Sequence, residues 1–318
     1  MAGKMGQISA RLNYAPNKQF KSDSARVAFL LCVGLVVKVV CGSTVLRASH
    51  LNWALNLGGL MKEIEFGSLS EYLSVLEGLR KELRWPEQDE LFFRGVKSEE
   101  LQLEPGVIWR QIAQGTEESM VVEFLQYYES MTTHRPQNGF EHYMLMQHYG
   151  LPTRLLDWSL SPLVSLYFAL EQNKMDNSGR RVVWVLNPTL LNTKTIGFEG
   201  IVCPAGYYGA SPIDNYLPSH LRPNDDEVCP GVIALSLPLL NQRVTAQKGV
   251  FTLHGFNSKP VNEYFAQDDN GCIKIVLRDE KLRKNILNEL YQIGIKEDDI
   301  YQDLNALSKR IIREYSEL

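Results

Sequence analysis

The fold of this chain is decided by one stretch, residues 147–170, which reads QHYGLPTRLLDWSLSPLVSLYFAL. Its first half holds His, Tyr, Arg, Asp and Trp, and its last nine residues are almost wholly apolar. Ser161 and Pro162 are a favoured N-cap and first-turn pair, so the apolar part is predicted to be a helix. A helix that is apolar on every side must be surrounded by protein. The polar residues before it are therefore either a buried structural network or a site.

Helices are predicted on the N-terminal side of this stretch. Ser68 with Glu71 forms a capping box that opens the first, and a second is predicted at 116–130. A third begins at Asn138 and is closed by Gly150, because glycine readily adopts the left-handed conformation that ends helices. Short strands are predicted at 62–66 and 91–93.

The C-terminal half has a different character. It contains β-rich runs separated by loops, followed by predicted helices at about 280–292 and 298–317; the runs are RVVWVLNP, GVIALSLP, GVFTLHG and GCIKIVLR. Helices first and strands later favour an α+β domain. The sequence holds no GxxxxGKS/T loop, no GxGxxG after a strand and no GxSxG elbow, which argues against the common nucleotide-hydrolysing enzymes and hydrolases.

The net charge of −4 is unevenly distributed. Residues 1–60 hold seven Lys or Arg and a single acid, Asp23, so they carry +6 and residues 61–318 carry −10. An acidic body gains little from counterion release on a phosphate backbone, so generic nucleic-acid binding is disfavoured. The five cysteines form no CxxC pair and have no His at metal-ligand spacing, which favours a reduced cytoplasmic chain without a metal site.

Residues 1–60 are predicted to be a leader that stands apart from a domain at 61–318. An apolar run at 27–46 follows basic residues, but Lys38 interrupts it too early for a comfortable membrane span. Gly58-Gly59-Leu60 can be encoded by a purine-rich ribosome-binding sequence just before Met61. We therefore expect a mis-annotated N-terminal extension; the alternatives are a membrane anchor and an ordinary extra helix or strand.

Four short motifs of this chain occur together in one known family. They are FRG at 93–95, HYGLPTRLLDW at 148–158, SPL at 161–163 and YFA at 167–169. With them the chain resembles the FRG domain, which is named for a Phe/Tyr-Arg-Gly signature. The resemblance extends from about residue 61 to the C-terminus, where Arg243, Gln247, Gly249 and Phe251 also agree with the family pattern, and it is most specific between 147 and 170.

The family that the chain resembles occurs mainly in bacteria and phages, sometimes near toxin or defence genes, and has a suggested distant similarity to ADP-ribosyltransferases. Those enzymes hold NAD in a cleft between a split sheet and helices, with an Arg or His from an early strand and a Glu from a late one. The expected fold is α+β, with N-terminal helices packed on a mostly antiparallel or mixed split sheet that is ADP-ribosyltransferase-like.

The resemblance also implies a function, that of a cytoplasmic NAD-binding effector, either an ADP-ribosyltransferase or an NAD glycohydrolase. The alternative is a non-catalytic module that senses a nucleotide or a protein. A nucleotide ligand or a protein target is the expected partner. Contact with a membrane is expected only if the 27–46 run is real and retained.

The expected site residues come from the two longest motifs and one later position. Catalytic roles are expected for Arg94, His148 and Asp157. Contacts with NAD are expected for Phe93, Gly95, Tyr149, Thr153, Arg154, Trp158 and Gln247, and no metal is expected. Arg94 leaves a hydrophobic strand and is suited to bidentate phosphate binding, helped by the first backbone N–H groups of the helix at Ser161.

Structural interpretations of the same residues stay open. An Arg94–Asp157 or Arg154–Asp157 ion pair would lock two layers together, because buried charges occur almost only in pairs. His148 is equally compatible with a satisfied structural histidine, and Trp158 with a core residue.

The late-strand acid that an ADP-ribosyltransferase needs is missing from its expected place. No Glu occurs around Gln247, and Glu263 is the nearest downstream candidate. Gln147 and Gln247 are neutral, so neither can act as a general base. Without a carboxylate at the reacting ribose, NAD could bind while transfer fails.

Overall fold

The computed structural model describes residues 62–83, 85–86, 89–171, 179–204, 212–222, 231–238, 241–265 and 270–316. The predicted leader and its apolar run at 27–46 lie outside these ranges, so the predictions about residues 1–60 stay predictions. Among the described helices, none is long and apolar enough to cross a membrane.

The described ranges contain seven strands that form one mixed sheet. They are β1 (Glu63–Phe66), β2 (Phe92–Val96), β3 (Leu155–Ser159), β4 (Val182–Leu186), β5 (Val232–Leu235), β6 (Gly249–His254) and β7 (Cys272–Leu277). Their order across the sheet is β1-β7-β4-β2-β3-β6-β5. The β1–β7 pair is parallel, and the other neighbours are antiparallel.

Helices cover this sheet from several sides. They are α1 (Leu69–Glu82), α2 (Gly106–Trp109), α3 (Gln114–Tyr127), α4 (Gly139–His148), α5 (Pro162–Leu170), α6 (Pro188–Ile196), α7 (Gln242–Ala246), α8 (Arg283–Gln292), α9 (Glu297–Tyr301) and α10 (Leu304–Ser316). Apolar residues of α1, α5 and α8 form one core with β2, β4 and β7. Those of α3 and α4 form another with β3, β5 and β6. The predicted α+β fold with a mostly antiparallel, mixed sheet is confirmed.

The predicted helix starts depend on side-chain caps that the structure contains. The side chains of Ser68, Asn138 and Ser161 each accept a hydrogen bond from the backbone N–H three residues further on. Gly150 follows α4 with φ of 89°, the conformation expected of a residue that ends a helix. Leu166 and Leu170 of α5 are fully buried, as its apolar sequence predicts.

Helix α5 packs directly on strand β2 at Gly95. A Cβ atom at this position would lie 1.8 Å from the carbonyl oxygen of Ser165 and 2.7 Å from the backbone nitrogen of Ala169. Only glycine fits without moving the helix. The Gly of the Phe-Arg-Gly motif therefore sets the distance between β2 and α5, on which the position of the neighbouring Arg94 depends.

Several elements differ from the sequence prediction, including the short helices α2 and α7, which it lacks. Strand β3 lies within the polar motif and is not predicted, because the charged Asp157 interrupts its run of apolar residues. Helix α6 is not predicted by the sequence pattern. The predicted helix at 298–317 is two helices, α9 and α10, because Gln302 adopts a left-handed conformation with φ of 53° and ends the first of them.

Candidate functional site

The sheet splits between its two central strands, β2 and β3. They share a single register pair within the described ranges, Phe93 with Ser159, whereas β2 pairs with β4 over five residues. Beyond that pair, residues of both strands line a cavity instead of continuing the backbone ladder. The predicted split sheet therefore has its opening at the motif residues.

The cavity has a volume of about 780 Å³, which is within the usual size of a small-molecule site. Its aromatic lining comes from Phe93, Trp109, Tyr149, Trp158, Phe168 and Phe251. Its ionisable lining comes from Arg94, Lys97, His134, His148, Asp157, Glu171 and Arg243. The three residues expected to be catalytic, Arg94, His148 and Asp157, thus lie around one cavity.

Arg94 reaches across the split from β2. Its Nη1 donates a hydrogen bond to the backbone carbonyl of Asp157 at 2.5 Å, so the contact is with the main chain of that residue. Its Nε is buried and has no hydrogen-bond partner in the described part of the protein. Burial lowers the pKa of Arg94, and the Asp157 carboxylate acts in the opposite direction. Because a guanidinium stays charged at physiological pH, this half-buried cation favours an anion in the cavity.

Asp157 is the exposed residue of an otherwise buried strand. Its Oδ1 accepts a hydrogen bond of 2.7 Å from the side-chain amide of Gln147. The oxygen of that amide accepts a 2.7 Å hydrogen bond from the hydroxyl of Thr153. The cavity thus contains a carboxylate whose position is set by hydrogen bonds. Gln147 is not among the expected site residues, because a neutral side chain cannot act as a base.

Arg154 has a different environment from the one expected. It does not pair with Asp157 and does not contribute to the cavity lining; its side chain is fully buried and its Nε donates to both oxygens of Glu117, at 3.0 and 3.2 Å. Its Nη1 donates to the carbonyl of His254, and Tyr143 donates its hydroxyl proton to Glu117. This placement makes Arg154 a core residue. The sequence places Glu117 in the first turn of a helix, which gives no sign of this pairing.

His148 and Tyr149 lie at the C-terminal end of α4, beside the cavity. Burial lowers the pKa of His148, and the positive charge of Arg243 lowers it further. The imidazole is therefore neutral near pH 7, with one nitrogen able to accept a proton. Tyr149 is 65 % exposed, and its ring contacts that of His148 edge-on, with 5.0 Å between the ring centres.

The other expected NAD contacts divide between the cavity wall and the structure behind it. Trp158 lines the cavity, and its Nε1 donates to the hydroxyl of Thr252 at 3.1 Å. Gln247 also lines the cavity, but its amide donates to the carbonyl of Ile300 at 3.1 Å. Thr153 is buried behind Gln147 and is outside the described cavity lining.

Three charged residues in the lining carry little or no signal in the motifs. Arg243 is exposed, and its guanidinium lies 5.1 Å from the centre of the Tyr301 ring. Glu171 accepts hydrogen bonds from Tyr301 and forms an ion pair of 3.0 Å with Lys97. In the sequence, Arg243 stands out only as a match to the family pattern. Glu171 and Lys97 match no motif, because their proximity to the site depends on the fold.

Two further expectations concern groups that do not reach the cavity. The first backbone N–H groups of α5, at Ser161, are expected from the sequence to help bind phosphate. The described α5 residues that line the cavity are Ser165 and Phe168, which lie in later turns of the helix. The hydroxyl oxygen of Ser165 is buried and has no partner among the described residues. Glu263, the nearest candidate for a late acid, is likewise outside the described lining. The lining carboxylates are Asp157 and Glu171.

Within the described ranges, no group of three or more His, Cys, Asp or Glu side chains is arranged to hold a metal ion. No curated protein matches this chain. No solved structure matches it either.

A family model does match part of the chain. The model of the FRG domain matches residues 89–178. This range includes β2, β3 and the helices α2 to α5, and so contains both sides of the split as well as the polar motif. The remaining lining residues, among them Arg243 and Gln247, come from the chain after the match. This chain is therefore an FRG domain-containing protein.

Proposed function

We propose that the cavity binds NAD and that the protein cleaves the bond between nicotinamide and ribose, as an ADP-ribosyltransferase or an NAD glycohydrolase. The observation that carries this proposal is the meeting of Arg94 and Asp157 across the split between β2 and β3. One supplies a desolvated cation with an unsatisfied Nε, and the other a carboxylate exposed to the same cavity. NAD needs both, a cation for its pyrophosphate and an anion beside the reacting ribose.

The rest of the lining fits the same ligand. Arg243 adds a second cation that an extended pyrophosphate can reach. The aromatic side chains offer surfaces on which adenine or nicotinamide rings stack. Arg94 Nε and the Ser165 hydroxyl have no hydrogen-bond partner in the described part of the protein. This is expected where a bound ligand supplies the partner.

The chemistry follows from the two neighbouring groups. The bond from ribose C1′ to the nicotinamide nitrogen breaks, and its electron pair leaves with nicotinamide. The Asp157 carboxylate stabilises the positive charge that develops on the ribose. Water, or a nucleophile of a target protein, forms the new bond to C1′ and loses a proton. Neutral His148 is the candidate acceptor for that proton.

In this chemistry the acid is Asp157 on β3. The resemblance to ADP-ribosyltransferases implies instead an acid from a later strand. The proposal agrees with the defence or toxin setting that the FRG resemblance implies, since an enzyme that consumes NAD arrests the cell that contains it. The supply of NAD favours the cytoplasm as its location.

The test is nicotinamide release from NAD by the full chain. Asp157→Asn should lower the rate on the order of 10²- to 10³-fold, because it removes the charge that faces the ribose. Asp279→Asn is the matched control, since Asp279 is exposed and caps a short helical turn outside the cavity lining. Equal rates for wild type and Asp157→Asn would contradict the proposed chemistry.

A second function, that of a non-catalytic sensing module, is favoured by the exposed rings at the cavity. Trp109 is 58 % exposed and Tyr149 is 65 % exposed, and Leu101 beside them is 48 % exposed. Exposed apolar groups of this size are typical of binding surfaces. Such a module would bind a nucleotide or a peptide without turnover, so wild type and Asp157→Asn would bind alike and release no nicotinamide.

A further inference from the structure

We propose that Gln147 is a positioning residue that sets the orientation of the Asp157 carboxylate in the cavity. This inference rests on the proposed function for its catalytic consequence, but its structural part stands on three side chains. Gln147 is on the last turn of α4, Thr153 is in the following loop and Asp157 is on β3. The Gln147 amide lies between the other two, at 2.7 Å from each.

The direction of these hydrogen bonds follows from the carboxylate at one end, which can only accept and so requires the NH₂ group of the Gln147 amide. The Thr153 hydroxyl, which accepts a hydrogen bond from the N–H of Leu155 at 3.2 Å, then donates its proton to the oxygen of the Gln147 amide. That interaction turns the NH₂ group of Gln147 towards Asp157.

The arrangement leaves one oxygen of Asp157 for a ligand. Oδ1 is held by Gln147, and Oδ2 accepts no hydrogen bond from the residues that the structure describes. A carboxylate on a strand is free to rotate about χ2 unless one oxygen is held. Gln147 thus restricts the rotation of a carboxylate that lines the cavity.

The side chain of Gln147 is not needed to form the end of α4. The helix closes through backbone hydrogen bonds, from Tyr149 N–H to the Leu145 carbonyl and from Gly150 N–H to the Gln147 carbonyl. Removal of the amide therefore leaves these bonds in place. An effect on Asp157 can then be separated from an effect on folding.

The kinetic test is a double-mutant cycle with Gln147→Met and Asp157→Asn in the full chain. Hydrogen bonds to charged groups are among the stronger ones in proteins. Gln147→Met should therefore lower kcat for nicotinamide release about 10- to 100-fold, with little change in KM for NAD. In the Asp157→Asn background the same substitution should have almost no further effect on kcat, because the carboxylate charge that Gln147 orients is gone.

Gln247→Met is the matched control, because Gln247 also lines the cavity but donates its amide proton to the Ile300 carbonyl. The fold-change that Gln247→Met causes in kcat should be the same in wild type and in the Asp157→Asn background. If Gln147→Met lowers kcat by the same factor in wild type and in Asp157→Asn, the inference is wrong.

A second readout needs no turnover. In protein labelled with ¹⁵N-glutamine, the side-chain NH₂ signal of Gln147 is identified by its loss in Gln147→Met. Asp157→Ala should move that signal upfield, since the charged acceptor is removed, and Thr153→Val should move it because the amide loses its anchor. The Gln247 signal should stay in place. If the Gln147 signal does not move, the inference is wrong; if it moves while wild type releases no nicotinamide, the proposed function alone fails.

Discussion

Arg154 donates its Nε hydrogen bond to both carboxylate oxygens of Glu117, and neither side chain is exposed to solvent. The pair connects α3 to the start of β3, behind the candidate site. Tyr143, whose hydroxyl donates to Glu117, also accepts a hydrogen bond from the backbone of Arg154. The site thus depends on an ion pair that contributes nothing to the cavity lining.

Loss of Glu117 should be costly. Glu117→Gln leaves the buried guanidinium of Arg154 without its counter-charge and should lower the free energy of unfolding by about 3–5 kcal/mol. Glu123→Gln on the same helix is the matched control, because Glu123 is exposed, and it should change stability by less than about 0.5 kcal/mol. Denaturant titration of both variants measures the difference; similar midpoints would show that the pair does not hold the fold.

Two glycines should respond to the same substitution with opposite signs. In Gly95→Ala the new methyl group meets the Ser165 carbonyl oxygen at 1.8 Å, so α5 must move. We expect a loss of about 1–3 kcal/mol or more. Gly78 lies in α1, where a methyl group added to its Cα would meet nothing within 4 Å, so Gly78→Ala should stabilise by about 0.5–1 kcal/mol through helix propensity. Thermal unfolding that ranks Gly95→Ala at or above wild type would contradict this packing account.

Local signals predicted much of the fold. The caps at Ser68, Asn138 and Ser161 depend on residues within three positions of each other, so the sequence contains all the information needed to place those helix starts. The all-apolar sequence of α5 likewise predicts its burial. The FRG and HYGLPTRLLDW motifs predict the location of the site.

Interactions between distant residues could not be predicted in this way. Arg154 pairs with Glu117 rather than with nearby Asp157, because the fold brings Glu117 of α3 to the start of β3, 37 residues away along the chain. The role of Gln147 depends on hydrogen-bond direction, which residue type alone does not reveal.

A pH effect on stability is expected from His254, which is fully buried between Thr252 and Ser258. Burial lowers the pKa of His254 to about 3, and the positive charges of Arg154 and Arg94 act in the same direction. In the unfolded chain a histidine titrates near ~6.5. The unfolded state therefore binds a proton that the folded state does not, and stability is lost as the pH falls from about 6.5 towards 3.

Between roughly pH 7 and pH 5 this single group should remove about 2 kcal/mol of unfolding free energy. His254→Asn keeps a polar side chain but does not titrate, so its stability should depend less on pH over the same interval. Denaturant midpoints at several pH values measure the two slopes. Parallel slopes for wild type and variant would show that His254 becomes protonated without cost in the folded protein.

Arg94 is proposed to face a ligand rather than to act as a structural clasp. Arg94→Gln removes the cation, while Arg278→Gln is the matched control because Arg278 is 51 % exposed and pairs with Glu71 outside the cavity. Surface pairs of this kind contribute little to stability. Arg278→Gln should therefore fold like wild type. Arg94→Gln should also fold, because the guanidinium makes a single hydrogen bond to the described part of the protein.

Thermal melting of these three proteins with NAD, ADP-ribose and other nucleotides is the most direct test. Ligand at 100 times its Kd should raise the apparent stability of wild type and Arg278→Gln by about 2.7 kcal/mol. Arg94→Gln should melt at the same temperature with and without nucleotide, because its anchor for the pyrophosphate is gone. If wild type shows no shift with any nucleotide and Arg94→Gln unfolds, Arg94 is a clasp and the account of an NAD site is contradicted.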